Sequence, residues 1–372
     1  MRKSALVFIL FLLLFCSCKP ASDKIPEPAS SFTVGVAFPI KDSQYQNILR
    51  VVEAADGEML ANDFKSKGLI NRVQELIDAN VDGIIVMPMD EAVLPQIAEM
   101  CEKAGVFWAI TMRPLHDQEI KQVVESSPFY AGLVQENDNE IAYEIVKQLA
   151  MEGNQKIALI MPMVTDPVGE ARARGVYRAA AEFGVEIVVE INNAYSDEDF
   201  YNAISNVIVA YPTLDAIFRV GSHNLKCSRS IISAIEASDR CGHIGFASID
   251  LEEIAEEDFE KGIVTVAAGG HGELDSTLAA GILVNAINKT PISQNRPAEV
   301  TIEYLMIRSA QDLQKYNQAF AENGEILFSE EAARQMLLRK NNDAITQEDY
   351  EHIASLYTLE NLDILKTWNP DP

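Results

Sequence analysis

The chain has 372 residues and a formal net charge of −26, because 56 acidic residues outnumber 30 basic ones. A surface this acidic repels phosphate backbones and anionic headgroups, which argues against nucleic acid as a partner. The length suits two domains of ordinary size, each with its own hydrophobic core.

The first predicted element is an export leader. A cationic head, Arg2 and Lys3, precedes an apolar run over residues 5–15, which is too short to span a bilayer as a mature helix. A small residue then precedes Cys18, as in a bacterial lipoprotein signal. We expect residues 1–17 to be removed and Cys18 to become the lipid anchor. An ordinary secretory signal cut nearby is the alternative, and both predict an exported protein that faces the periplasm or the cell exterior.

The five cysteines do not indicate a disulfide framework. Cys16 should leave with the leader, since the bulky Phe15 before it disfavours a cut there. Between Cys227 and Cys241 lies a predicted helix, which would hold the two sulfur atoms roughly 20 Å apart, beyond disulfide reach. We therefore expect Cys101, Cys227 and Cys241 to be free and mostly buried thiols.

From Phe32 onward, short apolar runs alternate with amphipathic segments. Runs rich in Val and Ile indicate strands, and segments with a hydrophobic period near 3.6, several followed by Gly, indicate helices. The first group comprises, in chain order, FTVGVAF, YQNILRVVEAA, INRVQELIDAN, DGIIVMP, AVLPQIAEMCEKAG, VFWAIT and YAGLV. After the helix NEIAYEIVKQLAMEG, the second group comprises KIALIMP, GEARARGVYRAAAEFG, VEIVVEI, EDFYNAISNVIVAYP, LDAIFRV, LKCSRSIISAIEAS, HIGFASI, IAEEDFEKG and IVTVAAG.

This order predicts an α/β fold with two doubly wound parallel-sheet lobes. The helix ELDSTLAAGILVNAIN comes too late for the second sheet, so the chain should cross back through a multi-crossing hinge. We expect a flexible tether over 18–31, a first lobe over 32–134 plus 270–297, a second lobe over 135–269 plus 298–310, and a helical C-terminal extension over 311–372. Packing of this extension on a lobe and docking to a partner both remain open.

The sequence lacks the common motifs of catalysis. It has no GxSxG, HExxH or GxxxxGK[ST], and no CxxC outside the leader. Its five histidines do not show the spacing of metal ligands. The stretch AGGHGEL places glycines between a strand and a helix but lacks the GxGxxG spacing of a dinucleotide site. We therefore predict neither an enzyme nor a bound metal or cofactor.

Ligand binding has better support. In open parallel sheets, ligands bind beyond the carboxyl ends of the strands. The side chains at these ends that suit polar ligands are Asp42, Tyr45, Arg113, Arg172, Tyr195, Ser222 and His271. Arg172 stands where a loop enters a helix, and its guanidinium can donate two parallel hydrogen bonds to one ligand. The alternative for each residue is that it lies in a solvated loop and does not bind a ligand.

Together these segments resemble the periplasmic sugar-binding proteins of the ribose- and galactose-binding type. The likeness spans about Thr33 to Arg308 and rests on VDGIIVMPMDEAVLPQIAEMCEKAGV, NDNEIAYEIVKQLA, ARARGVYRAAAEFGV, LDAIFRVGSHNLKCSRSIISAIEAS and IGFASID. The resemblance implies two lobes that close around a solute and deliver it to an ABC importer. The implied partners are a small-molecule ligand and the importer's permease, without nucleic acid, and the protein is expected to be a monomer.

The resemblance carries over only some of the family's ligand-binding positions. Arg172 matches the arginine before the glycine of the second-lobe helix. Tyr195 matches the aromatic residue that stacks on the sugar ring, and Tyr45 matches the aromatic residue of the first loop. Arg113 follows Met112 where the family often has Asp-Arg.

The departures from the family pattern change the expected chemistry of the pocket. Positions where the family presents carboxylates or amides carry Met112, Gly221-Ser222, Ala247 and, approximately, Ala268. Two arginines with no carboxylate near them in the pattern would make the pocket locally positive, and an unpaired buried guanidinium is costly. We therefore consider a carboxylated or phosphorylated ligand. The resemblance itself favours a sugar, with the lost contacts restored from Asp42, Asp90 or His271.

Two classes of function follow. The leading interpretation is a solute-binding lipoprotein that serves an importer. The second is a sensor whose closed form signals to a membrane kinase or chemoreceptor without transport, and the acidic helices after Ser309 keep it open. An exported hydrolase ranks third, because the sequence shows neither a nucleophile motif nor a metal site.

Overall fold

The computed structural model describes residues 31–61, 68–162, 166–221, 225–320, 326–338, 342–343 and 345–370. The expected leader, the anchor at Cys18 and all but the last residue of the tether lie outside these ranges, as does Ser222.

The described chain begins with the alternating strands and helices that the sequence predicts. The first group is β1 (Thr33–Val36), α1 (Asp42–Ala54), β2 (Glu58–Ala61), α2 (Leu69–Asp78), β3 (Gly83–Val86), α3 (Leu94–Ala104), β4 (Phe107–Ile110), α4 (Gln118–Ser126) and β5 (Tyr130–Glu136). The second group is α5 (Asp138–Met151), β6 (Lys156–Ile160), α6 (Pro167–Phe183), β7 (Glu186–Ile191), α7 (Asp197–Ala210), β8 (Ala216–Arg219), α8 (Ser228–Glu236), β9 (Gly245–Ile249), α9 (Glu256–Glu260) and β10 (Val264–Gly269).

The remaining elements return to both lobes. They are α10 (His271–Ile287), β11 (Ala298–Ile302), β12 (Leu305–Ile307), α11 (Ala310–Phe320), α12 (Glu330–Gln335), α13 (Gln347–Ser355) and α14 (Leu362–Lys366).

Two sheets of six described strands each form the lobes. The first has the order β11-β5-β4-β3-β1-β2, with all neighbours parallel. The second has the order β12-β10-β9-β8-β6-β7, and its neighbours are parallel except β12, which is antiparallel to β10. The prediction of two doubly wound lobes is therefore confirmed.

Local sequence explains where these elements form. The strand GIIV of β3 is buried at every residue, as expected for a parallel strand covered on both faces. Asp117 and Asp166 cap the N-termini of α4 and α6 with side-chain hydrogen bonds to backbone N–H groups. Gly184 ends α6 in the left-handed region, where a glycine has no steric penalty.

The chain crosses between the lobes three times before the extension. The first crossing lies between β5 and α5, the second between β10 and α10, and the third between β11 and β12. The assignment of residues 298–310 to the second lobe is wrong at its start, because β11 pairs with β5 of the first sheet. The third crossing therefore follows Ile302, and only β12 and what comes after it join the second lobe.

The C-terminal extension packs on both lobes of the described chain. Leu313 of α11 is buried in the second lobe's core. Phe328, Tyr350 and Trp368 are buried in the core of the first lobe, together with α1 and α10. The extension thus contacts both lobes and completes the first core.

The helix α10 joins the first sheet to the extension. It is almost entirely buried, and its buried residues include Glu273, Asp275 and Asn285 as well as apolar side chains. Its Asn285 donates to the Met336 carbonyl and accepts from Leu338 N–H at 2.6 Å. A Cβ on Gly281 would lie only 2.3 Å from the Tyr350 hydroxyl oxygen, so this glycine permits α13 to pack closely.

The three cysteines in the described part of the chain form no disulfide, as expected. Cys101 and Cys227 are buried, whereas Cys241 is exposed.

Candidate functional site

Arg172 lies at the hinge, within a buried hydrogen-bond network. Its Nε donates to Asp138 Oδ1 at 2.7 Å, Nη1 donates to the Val220 carbonyl at 3.0 Å, and Nη2 donates to the Tyr304 hydroxyl at 2.8 Å. The Tyr304 hydroxyl donates in turn to Asp138 Oδ1 at 2.7 Å. Arg172 is 7 % exposed and Asp138 only 2 %. The network joins the first crossing to the third through a helix of the second lobe.

Close helix packing brings Arg172 to its carboxylate. Gly175, one turn further along α6, faces α5, and a Cβ there would lie 2.0 Å from the Asn139 carbonyl oxygen. The absence of a side chain at Gly175 lets α6 approach the start of α5, where Asp138 stands. The expectation that neither arginine has a carboxylate near it is therefore wrong for Arg172, and the argument for an anionic ligand loses its premise.

Arg113 follows β4 and is half-buried. Its Nη1 donates to the Met112 carbonyl at 2.6 Å, and Nη2 contacts the Met89 sulfur at 3.2 Å. Met112 has a φ of 55°, in the left-handed region that disfavours a long side chain. The buried Asp275 stabilises this turn, since its Oδ1 accepts from the Thr111 hydroxyl and from Met112 N–H at 2.8 Å. Asp275 thus fixes the backbone that presents Arg113.

Three buried carboxylates gather at the first crossing and the start of α10. Glu136 ends β5, Asp138 begins α5, and Asp275 lies in α10. Burial raises the pKa of Glu136 well above its usual value, and the nearby Asp275 and Asp138 raise it further. Burial likewise raises the pKa of Asp275. These residues were missed from sequence because nothing separates them from the general acidity.

His271 stands at the second crossing, as the first residue of α10. Its Nε2 lies 3.8 Å from Asp250 Oδ1, and its ring is tilted against Tyr304 with centroids 4.4 Å apart. Burial lowers the pKa of His271 to about 3, although Asp250 opposes this shift. The imidazole is therefore neutral at physiological pH, with one nitrogen able to donate and the other to accept.

The second lobe presents Asp250 from a strained turn after β9. Asp250 has a φ of 77°. The fully buried Arg219 supports this turn, because its Nη2 donates to the carbonyls of Ile249 at 3.0 Å and Asp250 at 2.8 Å. Its Nε also donates to the Ser248 hydroxyl at 2.8 Å. Arg219 was not predicted as a site residue, since an arginine inside an apolar strand gives no sign of its partners.

An ion pair links the two lobes at the edge of this cleft. Lys41, just before α1 in the first lobe, donates to Glu252, just after β9 in the second, at 2.6 Å. The Lys41 side chain is 60 % exposed, so solvent screens the pair. The contact nevertheless shows that the carboxyl ends of the two sheets face each other.

The remaining predicted residues are Asp42, Tyr45, Tyr195 and Ser222. Asp42 is exposed and Tyr45 half-buried on the first turns of α1. Tyr195, after β7, is 61 % exposed. Ser222 lies outside the described residues. The hinge therefore brings together Arg172 and His271, with Arg113 close enough to Glu136 and Asp275 to influence both carboxyl groups.

The described residues show neither a metal-binding cluster nor a membrane-spanning helix. They contain no group of three or more His, Cys, Asp or Glu side chains that could hold a metal ion. None of their helices is both long and apolar enough to cross a membrane.

Two parallel-sheet lobes, a three-crossing hinge and buried polar groups between the lobes define a two-lobed binding protein. A family model described as periplasmic binding protein domain matches residues 42–291. The chain therefore belongs to the periplasmic binding protein family, which implies a location outside the cytoplasm. No curated protein sequence matches the chain.

Solved structures share the fold at low sequence identity. A periplasmic solute-binding protein of an ABC transporter from Actinobacillus succinogenes, solved with D-allose, is 20 % identical, with a TM-score of 0.64 over 76 % of this chain and 98 % of its own. A solute-binding protein from Bacillus halodurans, solved with myo-inositol, is 19 % identical, with a TM-score of 0.61 over 77 % and 98 %.

A third structure reaches into the extension. A periplasmic sugar-binding protein from Pseudomonas fluorescens is 14 % identical, with a TM-score of 0.66 over 90 % of this chain and 99 % of its own. The part of the chain before the extension, residues 1–310, makes up about 83 % of the 372 residues. A match that covers 90 % of the chain must therefore include part of the extension.

Proposed function

We propose that the protein is an extracytoplasmic solute-binding lipoprotein that captures a sugar or sugar derivative between its lobes and delivers it to an ABC importer. The observation that carries this proposal is the set of buried carboxylates beside Arg113 at the hinge. Carboxylates accept from sugar hydroxyls, whereas a guanidinium donates to them.

The structural neighbours support a polyhydroxylated ligand. The protein from Actinobacillus succinogenes holds D-allose, and the one from Bacillus halodurans holds myo-inositol. Both ligands are neutral and present several hydroxyl groups. A neutral ligand also fits the finding that Arg172 already pairs with Asp138.

The predicted residues divide into two roles within this proposal. Arg113 and His271 face the ligand near the hinge, and Arg172 supports the hinge through Asp138 and through Tyr304, whose ring lies against His271. Asp42 and Tyr45 would contribute from the first lobe, while Tyr195 and Ser222 would contribute from the second.

Delivery requires the protein to remain near its permease, and the proposed anchor is a lipid on Cys18. A Cys18→Ala variant should move the protein from the membrane fraction to the soluble fraction of the cell. We further propose that the protein acts as a monomer and without a catalytic step. The extension gives no specific support to the sensor alternative, since its helices pack on the lobes.

A thermal-shift screen of the full chain in mild detergent tests the proposed ligand. Hexoses, pentoses, inositols, sugar acids and sugar phosphates would each be added at millimolar concentration. A ligand that binds only the folded state at 100 times its Kd should stabilise the protein by about 2.7 kcal/mol. Failure of every compound would contradict the sugar proposal, and loss of importer-dependent uptake in a deletion strain would separate transport from sensing.

A further inference from the structure

Acceptor atoms outnumber donor atoms among the buried, unpartnered groups at the hinge. Both carboxylate oxygens of Glu136, Oδ2 of Asp138 and Oδ2 of Asp275 are buried without a hydrogen-bond partner. These three residues are at most 6 % exposed. The unpartnered donor beside them is Nε of Arg113. Nδ1 of His271, also unpartnered, donates or accepts according to its tautomer.

The formal charges have the same imbalance. Glu136, Asp138 and Asp275 face two guanidinium groups, and the guanidinium of Arg172 is already shared between Asp138 and two neutral acceptors. Arg113 has neutral partners for the contacts of its Nη1 and Nη2. When all five groups are ionised, the hinge therefore carries one excess negative charge, and a proton on Glu136 neutralises it until a cationic group replaces that proton.

An unpartnered buried acceptor is costly, and a ligand can satisfy it only by bringing a donor. An ammonium group brings three donors and no acceptor, a hydroxyl brings one donor and two lone pairs, and a carboxylate brings acceptors alone. An anionic group near Glu136 and Asp275 would add both a second negative charge and further unsatisfied acceptors.

We propose that the hinge selects the ligand by its hydrogen-bond donors, so that an amino sugar binds better than the matching neutral sugar, and a sugar acid binds worst. This inference rests on the proposed function, because it concerns the ligand of the same cleft. Glu136 is the residue that favours ligands with hydrogen-bond donors. Asp275 contributes to this preference and also stabilises the turn at Met112.

Proton release offers a second signature of the same interaction. The groups that face Glu136 are Asp138, Asp275, Arg113 and Arg172, and burial together with the two carboxylates favours a protonated Glu136. An ammonium bound there would favour the carboxylate, so the carboxyl O–H bond breaks and the proton passes to the buffer. A neutral sugar exerts no such Coulomb attraction and should release fewer protons.

The test is isothermal titration calorimetry on the full chain in mild detergent, with matched D-gluco and D-galacto probes. Each set comprises the 2-amino sugar, the hexose and the hexuronate. We expect the amino sugar to bind about tenfold more tightly than the hexose, a difference typical of one charge-assisted hydrogen bond, and the hexuronate about tenfold more weakly. Repeating the titrations in buffers of different ionisation enthalpy should reveal proton release with the amino sugar.

The variant Glu136→Gln should remove the preference for the amino sugar and the proton release, because an amide offers its own donor. The variant Asp275→Asn should weaken the preference while retaining an acceptor for Thr111 and Met112. The matched control is Glu140→Gln, which changes an exposed carboxylate of α5 that pairs with Arg178. It should keep the wild-type order of affinities.

The outcomes separate this inference from the proposed function. Binding of the hexuronate as tightly as the hexose, or of the amino sugar no more tightly than the hexose, overturns the inference and leaves sugar binding intact. The inference is also overturned if the Glu136→Gln and Asp275→Asn variants both keep the wild-type order of affinities for the amino sugar, the hexose and the hexuronate. If none of the six probes binds, the inference fails, and the wider thermal-shift screen with pentoses and inositols then decides whether the sugar proposal fails as well.

Discussion

Replacing Arg172 with methionine should destabilise the protein more than it changes the ligand contacts. The guanidinium makes three hydrogen bonds of 2.7–3.0 Å to Asp138, Val220 and Tyr304, and all of them are buried. Its removal would leave the Asp138 carboxylate buried with only the Tyr304 hydroxyl as donor. Breaking a buried ion pair in this way costs about 3–5 kcal/mol.

The double variant Asp138→Leu/Arg172→Met separates the lost pair from the penalty of an uncompensated charge. It removes both charges and leaves two neutral groups, the Val220 carbonyl and the Tyr304 hydroxyl, to be satisfied. We expect it to recover about 1–3 kcal/mol relative to Arg172→Met alone, since neutral groups cost less to bury than an ion. The coupling energy from the full mutant cycle should lie in the same range.

Urea unfolding followed by two probes measures these changes. Far-UV circular dichroism reports on both lobes, whereas fluorescence reports on the first lobe and extension, because Trp108 and Trp368 are buried there. The control is Arg178→Met, which removes an exposed arginine of the same helix that pairs with Glu140 and should change the free energy of unfolding by at most about 1 kcal/mol. A loss of less than about 1 kcal/mol in Arg172→Met, combined with abolished binding, would show that Arg172 acts as a ligand arm instead of a hinge support.

Three other predictions concern the pH, the thiols and the extension. Burial lowers the pKa of His271 in the folded protein to about 3. Below about pH 6.5, the unfolded chain therefore binds a proton at His271 that the folded chain does not bind, and the free energy of unfolding falls as the pH decreases. Between about pH 7.5 and pH 5, wild type should lose about 2 kcal/mol more than His271→Asn in urea unfolding, and equal losses would refute the assignment of a neutral buried imidazole. A thiol reagent added to the native protein should modify Cys241 alone among the three thiols of the lobes, because Cys101 and Cys227 are buried and burial raises the pKa of Cys101 to about 12. Mass spectrometry identifies the modified residue, and modification of a buried thiol would contradict this prediction. Gly281→Ala should lower the free energy of unfolding by about 1–3 kcal/mol, because the new methyl group overpacks against Tyr350. The loss should be smaller in a Tyr350→Phe background, which lacks the clashing hydroxyl. If urea unfolding shows that the two substitutions are additive, the packing of the extension is contradicted.

The sequence was informative wherever a property repeats along an element. Runs such as GIIV and KIALI predicted buried parallel strands, and glycines and caps predicted where helices end. The strand β2 was missed because it lies at the edge of the sheet, where the charged Glu58 is exposed and the other three residues are half-exposed. The strand β11 was missed although the residues of AEVTI alternate between buried and more exposed positions, as in a half-buried strand. Its assignment to the first lobe depends on pairing with β5, more than 160 residues earlier.

The candidate site was less predictable because its contacts join distant parts of the chain. Arg172 was recognised, but its partners Asp138 and Tyr304 lie 34 and 132 residues away in sequence. The acidic residues of the hinge were hidden among 56 Asp and Glu residues. Only burial distinguishes Glu136 and Asp275 from the solvated carboxylates, and burial at a crossing between lobes depends on the whole topology.

The energetics of closure follow from the contacts that join the lobes. The ion pair between Lys41 and Glu252 is exposed on the lysine side, and pairs of this kind contribute about 0–1 kcal/mol. The pair alone therefore cannot hold the cleft closed against the entropy of lobe motion. A ligand shifts the population only by its differential affinity for the closed state, and the unpartnered oxygens of Glu136 and Asp275 are where such a difference can arise. Closing on a donor-rich ligand would satisfy these acceptors, whereas closing without one leaves them buried and unpaired. The same atoms that make the empty closed form costly thus make the loaded closed form favourable.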